Sequence, residues 1–276
     1  MTSPTRSLSG RVIAISGAAR GIGLATARAA ARKGARVAIG DLDLGLAEQA
    51  AASLGGGAVA LALDVADRAS FEQFLRGAET QLGPLDVLIN NAGIMPIGPF
   101  SAESDETARR VLEINTWGVL IGTKLALARM LPRNSGHIVN VASQAGKVGF
   151  AGGSTYCASK HAVVGLTASL ADELQDTGIE VSCVMPAVVN TELSIGLPRT
   201  RLIKPVEAED VADAIVDALE RPRLNVHVPR IAASFGVMTL LPLATKRRLE
   251  RLMGGEQALL NTDPAERVEY EARASR

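Results

Sequence analysis

Aromatic residues are scarce. Five Phe, two Tyr and one Trp make up 3% of the 276-residue chain, so any core must be built from Ala, Val, Leu and Ile. Cysteine is nearly absent. Cys157 and Cys183 stand alone, with no C-x-x-C spacing and no Cys/His cluster. That excludes a disulfide framework and a structural zinc site, and no metal is expected. Neither charge sign is in excess, because 29 Lys and Arg balance 29 Asp and Glu. A neutral balance without basic runs does not fit a nucleic-acid-binding surface. Residues 1–10 lack the apolar region of a signal peptide. No apolar run reaches the roughly 18 residues of a spanning helix. The longest candidate, 231–244, is interrupted by Ser234, Gly236, Thr239 and Pro242. The expectation is a soluble, cytoplasmic protein with no membrane association.

What is present is an alternation. Hydrophobic residues make up 47% of the chain and charged residues 21%, the balance of a globular protein. Short β-branched runs at 11–16, 35–40, 58–63, 85–90, 137–142, 179–184 and 225–228 read as strands. Helical stretches fall between them, at about 21–33, 44–54, 68–82, 106–131, 154–176 and 209–219. Near-continuously apolar strands are those of a buried parallel sheet. Strand–helix alternation with short links predicts a doubly wound α/β fold. Right-handed crossovers then gather every strand's C-terminal end on one side, where ligands bind. The expected division is one domain over 1–229 and a helical C-terminal extension over 230–276, acting as a lid or an oligomer contact.

Three groups of residues carry chemistry. The first is Tyr156 and Lys160, at i and i+4 on one predicted helix, with Ser143 in an earlier segment. An ammonium beside a phenol favours the phenolate, and a phenol so tuned can exchange a proton with an alcohol or a carbonyl. The second is Gly17, Arg20, Gly21, Ile22 and Gly23, a G-x-x-x-G-x-G loop between the first strand and a helix. Glycines let a phosphate approach the backbone, and the helix N-terminus favours an anion. The third is acidic. Asp41 ends the second strand, where a carboxylate accepts from adenosine ribose hydroxyls and repels the extra phosphate of NADP. Asp43 is a rival one step away. Arg20 argues for NADP, but the closer charge favours NAD. Asp64 and Val65 could bracket the adenine, or Asp64 could cap a helix.

Together these residues resemble the short-chain dehydrogenases/reductases in their single-domain form, over roughly 11–228. The resemblance rests on the glycine loop, Asp64-Val65, Asn90-Asn91-Ala92-Gly93, Asn115, Ser143, Tyr156, Lys160 and Pro186…Thr191. It implies a Rossmann fold of seven strands flanked by helices on both faces, and hydride transfer between a nicotinamide and an alcohol or ketone. Tyr156 would be the acid/base. Ser143 would polarise the substrate oxygen. Lys160 would hold the nicotinamide ribose and depress the tyrosine pKa. Asn115 would hold a water that relays protons to Lys160. Asn90, Asn91, Ala92 and Gly93 would cover the adenosine half, and Pro186, Val189 and Thr191 the carboxamide. A homodimer or homotetramer is implied as well. The alternatives are an NADPH-dependent carbonyl reductase and a dinucleotide-sensing protein that does no chemistry.

Residues expected to border the substrate are Met95, Ala145, Phe150, Val188, Leu193 and Leu197. They are apolar, and no cation is aimed at a substrate carboxylate. The expected substrate is therefore an apolar small-molecule alcohol or ketone, such as a steroid, retinoid or long-chain alcohol. The basic stretch 246–252 reads as one face of a helix packed over the cleft or on a neighbouring subunit.

Overall fold

The computed structural model describes residues 5–195, 205–234, 267, 268 and 270–272. Among them, seven strands form one parallel sheet: β1 (Val12–Ser16), β2 (Arg36–Asp41), β3 (Ala58–Ala62), β4 (Val87–Asn90), β5 (Gly136–Val141), β6 (Ile179–Pro186) and β7 (Asn225–Val228). Their order is β3-β2-β1-β4-β5-β6-β7. The chain therefore reverses direction across the sheet between β1 and β4, where Ile13 pairs with Val87 and Ile15 with Ile89.

The pleat sorts the strands' side chains into two cores. Ile13, Ile15, Val37 and Ile39 point to one face. There they meet small and branched residues of α1 (Gly21–Arg32), α2 (Leu44–Leu54) and α7 (Ala208–Glu220). Val12, Ala14 and Ala38 point to the other face. They pack under α3 (Arg68–Leu82), α5 (Gly118–Met130) and α6 (Ser154–Glu173). Phe71 and Phe74 of α3 meet edge-on, with ring centroids 6.1 Å apart. Two of the five phenylalanines thus sit in this one layer.

Helix 106–131 of the sequence reading is three pieces in the structure. α4 (Asp105–Leu112), capped by the Ser104 side chain on Thr107 N, runs into a π-turn at Glu113–Trp117 and then into α5. The continuous stretch Asp105–Arg133 has the length and mean hydropathy of a membrane span, but half of its apolar window is buried within the protein.

A polar chain crosses the buried sheet. Asn90 Nδ2 donates to Asn140 Oδ1 at 2.9 Å and to Thr123 Oγ1 at 3.2 Å, and Asn140 Nδ2 donates to Thr167 Oγ1 at 3.0 Å. It fixes β4 and β5 against α5 and α6 directly beneath the loops described next. Truncating Asn140 removes one hydrogen bond each from the buried Asn90 amide and Thr167 hydroxyl. Asn140→Ala is expected to lower the unfolding free energy by about 2 kcal/mol, read as an earlier urea midpoint at unchanged slope. An unchanged midpoint would show the chain to be inessential to stability.

Candidate active site

The loops at the C-terminal ends of the strands converge. Gly17 has φ of +63°, and a Cβ there would lie 2.8 Å from Ala92 Cα. Gly21 has φ of +55°, and its Cβ would meet Thr191 Cγ2 at 3.6 Å. A Cβ on Gly23 would overlap Gly17 O and lie 2.7 Å from Ala18 Cα. Bare backbone therefore sets the spacing of the loops following β1 and β4, and the loop after β6 lies in ordinary contact with Gly21. The Ser16 hydroxyl accepts from Asn91 N at 3.0 Å and Ala92 N at 3.2 Å. The Asn91 amide returns two bonds, to Ser16 O at 3.0 Å and Gly17 O at 2.9 Å. A cradle that side chains would fill, opening onto the first turn of α1 (Gly21, Ile22 and Gly23), fits a dinucleotide phosphate.

The acidic residues take distinct places. Asp41 Oδ2 accepts from Ala19 N at 3.0 Å, so its carboxylate holds the glycine loop to the end of β2. Its Oδ1 accepts from Asp43 N at 3.2 Å. Asp43 is the N-cap of α2 and accepts from Leu46 N. Asp64 is not the cap of α3; that is Asp67, and Asp64 closes a turn by accepting from Ala66 N at 2.9 Å. Val65 is buried, its side chain against Gly118 of α5. Arg20 lies between two carboxylates, 3.1 Å from Glu192 Oε2 and 3.8 Å from Asp43 Oδ2. The sequence reading weighed Arg20 against Asp41 alone. Glu192, distant in the chain, carried no signal of this pairing.

Ser143, Tyr156, Lys160 and Asn115 come together beside this cradle. Ser143 follows β5, and its hydroxyl lies close enough to the Tyr156 phenol to pull its pKa down. It also accepts from Ala145 N at 3.1 Å. Lys160 Nζ is buried 5.8 Å from the centre of the Tyr156 ring and donates to Val141 O at 3.0 Å. Asn115 lies in the π-turn, fully buried. The wider turn projects it inward, a distortion that recurs at functional sites. Its Oδ1 accepts from Ile94 N at 2.8 Å, and its Nδ2 donates to Ile94 O at 2.8 Å and Ser159 Oγ at 3.1 Å. Gly93 passes so close that a Cβ would lie 3.1 Å from Asn115 Oδ1 and 3.5 Å from Lys160 Nζ.

Electrostatics depart from the sequence argument. Burial dominates and holds the Tyr156 phenol well above its ordinary value; Ser143 opposes this by hydrogen bonding. Tyr270 and Cys157 add to the rise. Lys160 is not among the causes of this shift, in which desolvation is the largest. Burial also pushes the Lys160 amine down, to about 8.

Met95, Ala145, Tyr156 and Cys157 form a separate apolar cluster, joined by Ile97, Phe150 and Leu193. Phe150 stacks obliquely on Tyr156, with ring centroids 6.3 Å apart. Val189 is buried and bridges to Val206, whereas Val188 is 42% exposed and outside the cluster. Pro186 O lies 3.5 Å from Ser143 Oγ. Leu197 and the basic stretch 246–252 lie outside the described residues. Arg267 and Tyr270 do reach the cluster, and the sequence reading did not single them out.

Comparison with known proteins agrees with this geometry. The model of the short chain dehydrogenase family matches residues 11–201. Galactitol 2-dehydrogenase of Agrobacterium fabrum is 40% identical over 186 residues, 67% of this chain and 73% of the relative. 2-(S)-hydroxypropyl-CoM dehydrogenase 3 of Xanthobacter autotrophicus is 40% identical over 227 residues, 76% of this chain and 89% of the relative. A short chain dehydrogenase/reductase from Burkholderia phymatum, solved in complex with NAD, superposes with a TM-score of 0.76 at 25% identity, covering 94% of this chain and 99% of that one. With a parallel sheet reversing between β1 and β4, a glycine cradle at that point and a family model spanning most of the chain, this protein belongs to the short chain dehydrogenases.

Proposed function

We propose that the protein oxidises a secondary alcohol, or reduces the corresponding ketone, with NAD(H). The observation that carries this reading is the convergence of Ser143, at the end of β5, on the buried Tyr156 phenol, with Lys160 Nζ 5.8 Å from the centre of the same ring. When bound, the nicotinamide supplies the hydride acceptor or donor. As the phenolate, Tyr156 takes the alcohol proton; as the phenol, it gives its proton to the carbonyl oxygen. Ser143 hydrogen-bonds the same substrate oxygen and holds it at the phenol. Lys160 would hold the ribose hydroxyls and, as an ammonium, favours the phenolate. Asn115 clamps the Ile94 backbone to α6 through Ser159, and by resemblance holds a water for proton exchange with Lys160.

Preference for NAD rests on charge. Asp41 sits at the end of β2 against the glycine loop, and Arg20 nearby is engaged by Glu192 and Asp43. A 2′-phosphate would meet net negative charge there. Fluorescence titration is expected to give NADH at least about tenfold tighter binding than NADPH. Tighter NADPH would reverse the assignment and favour the carbonyl-reductase reading.

The cluster of Met95, Ala145, Phe150 and Leu193 around Tyr156 supports an apolar substrate. A polyol is the second reading, favoured by the galactitol dehydrogenase relative. Screening 2-octanol and cyclohexanol against galactitol and sorbitol, read at the nicotinamide absorbance, separates the two. Leu112 and Trp117, exposed at 44% and 53% where α4 meets α5, support a homodimer or homotetramer. Cytoplasmic residence is part of the same proposal.

A further inference from the structure

Arg267 is a cation only 1% exposed, at the edge of the cluster around Tyr156. Burying a guanidinium is costly unless its donors are matched. Here the two terminal nitrogens are matched by carbonyls of two loops, while Nε makes no hydrogen bond and lies 3.5 Å from Glu271 Oε1. Nη1 donates to Leu193 O at 3.3 Å and Ile195 O at 2.7 Å, and Nη2 donates to Met95 O at 2.7 Å. Met95 follows β4 and the other two follow β6, so one planar fork joins both sides of the cleft. The guanidinium packs over the Tyr270 ring, 4.8 Å from its centroid. Tyr270 Oη accepts from Met95 N at 2.6 Å. Both backbone groups of Met95 are thus held by the C-terminal segment, and Met95 belongs to the cluster around Tyr156. The chain's two tyrosines both lie at this cluster, and Tyr270 adds to the rise of the Tyr156 phenol.

We propose that the helical segment carrying Arg267 and Tyr270 forms the outer wall of the substrate site. Arg267 is a positioning residue that fixes the two loops relative to each other. Tyr270 is a specificity residue whose ring limits the size of the alcohol's apolar body. This rests on the alcohol-dehydrogenase reading of the same site. It adds that the site is completed by residues beyond the region that the family model covers.

The test uses full-length Arg267→Met and Tyr270→Ala, each checked for NADH binding within about twofold of the parent. Two readouts follow. The first is the rate at which a maleimide labels Cys157, located by peptide mass; this thiol is buried in the same cluster. Faster labelling in both variants is expected, because the wall is loosened or removed. The second is steady-state kinetics with 2-butanol and 4-phenyl-2-butanol. Arg267→Met is expected to raise KM for both alcohols far more than it lowers kcat. Tyr270→Ala is expected to shift the kcat/KM ratio toward the larger alcohol by about tenfold or more. Parental labelling rates, an unchanged ratio, or loss of NADH binding alongside substrate binding would each overturn the proposal. If the parent oxidises no alcohol at all, the reading of the reaction fails, and Cys157 labelling still decides whether the wall exists.

Discussion

Tyr156→Phe is expected to reduce turnover by at least about a thousandfold while leaving NADH affinity within a factor of two. The substitution deletes one oxygen. The ring remains against Phe150 and beneath Lys160, so the apolar cluster keeps its shape. What disappears is the group able to exchange a proton with the substrate oxygen. Single-turnover absorbance measurements and NADH fluorescence titration, run on one preparation, check both halves. Near-parental turnover would end the proton-transfer assignment, and loss of NADH binding would make the phenol structural. The pH dependence of the parent follows in sign. Burial holds the phenol above its ordinary value, so alcohol oxidation should rise with pH as that proton becomes easier to remove, and ketone reduction should not.

The second large effect falls on a glycine. Gly23→Ala places a methyl against Gly17 O and 2.7 Å from Ala18 Cα, both backbone atoms that cannot rotate away. It also crowds Asn91 Nδ2 at 2.7 Å, the amide that ties the glycine loop to the loop after β4. Relief requires α1 to move off the sheet, and overpacking of this kind costs about 1–3 kcal/mol. The expected result is loss of NADH binding by a factor of about one hundred or more, with a lower thermal midpoint. Gly165→Ala is the control, because a Cβ there meets nothing within 4 Å. Equal behaviour of the two variants would mean that the cradle is not the nucleotide site.

Much of this architecture is legible in the residues. The strands are buried on both faces, so they read as unbroken apolar runs, and each predicted strand appears within a few residues of its place. The glycine loop, Asp41, Ser143, Tyr156 and Lys160 were legible because each stands at a strand end or on one helical face. The π-turn at Glu113–Trp117 was not, since the residues 106–131 keep one helical pattern and only the inward projection of Asn115 betrays the extra residue. Asp64 was readable as a cap, but the helix begins later and Asp67, which drew no notice in the sequence, takes that place. The depth at which Tyr156 is buried, which raises its phenol, left no mark either, because sequence spacing gives a neighbour's charge but not burial. Arg267 and Tyr270 were hidden for a different reason. The partners that tie them to the cleft are backbone carbonyls and an N–H far away in the chain, and backbone groups leave no mark in the sequence.

The strand order has a kinetic consequence. β1 and β4 are neighbours in space but far apart in the chain, with Ile13 beside Val87. Closing so long a loop loses much chain entropy before any contact returns it. β1–β3 and β4–β7 can each gather from nearer neighbours, whereas the seam between them must zip across that gap. The glycine loop and the Asn91 loop face each other over this seam, stitched by Ser16. A dinucleotide laid across it would act as a clasp, and the same molecule that turns over in the reaction would hold the two halves of the fold shut.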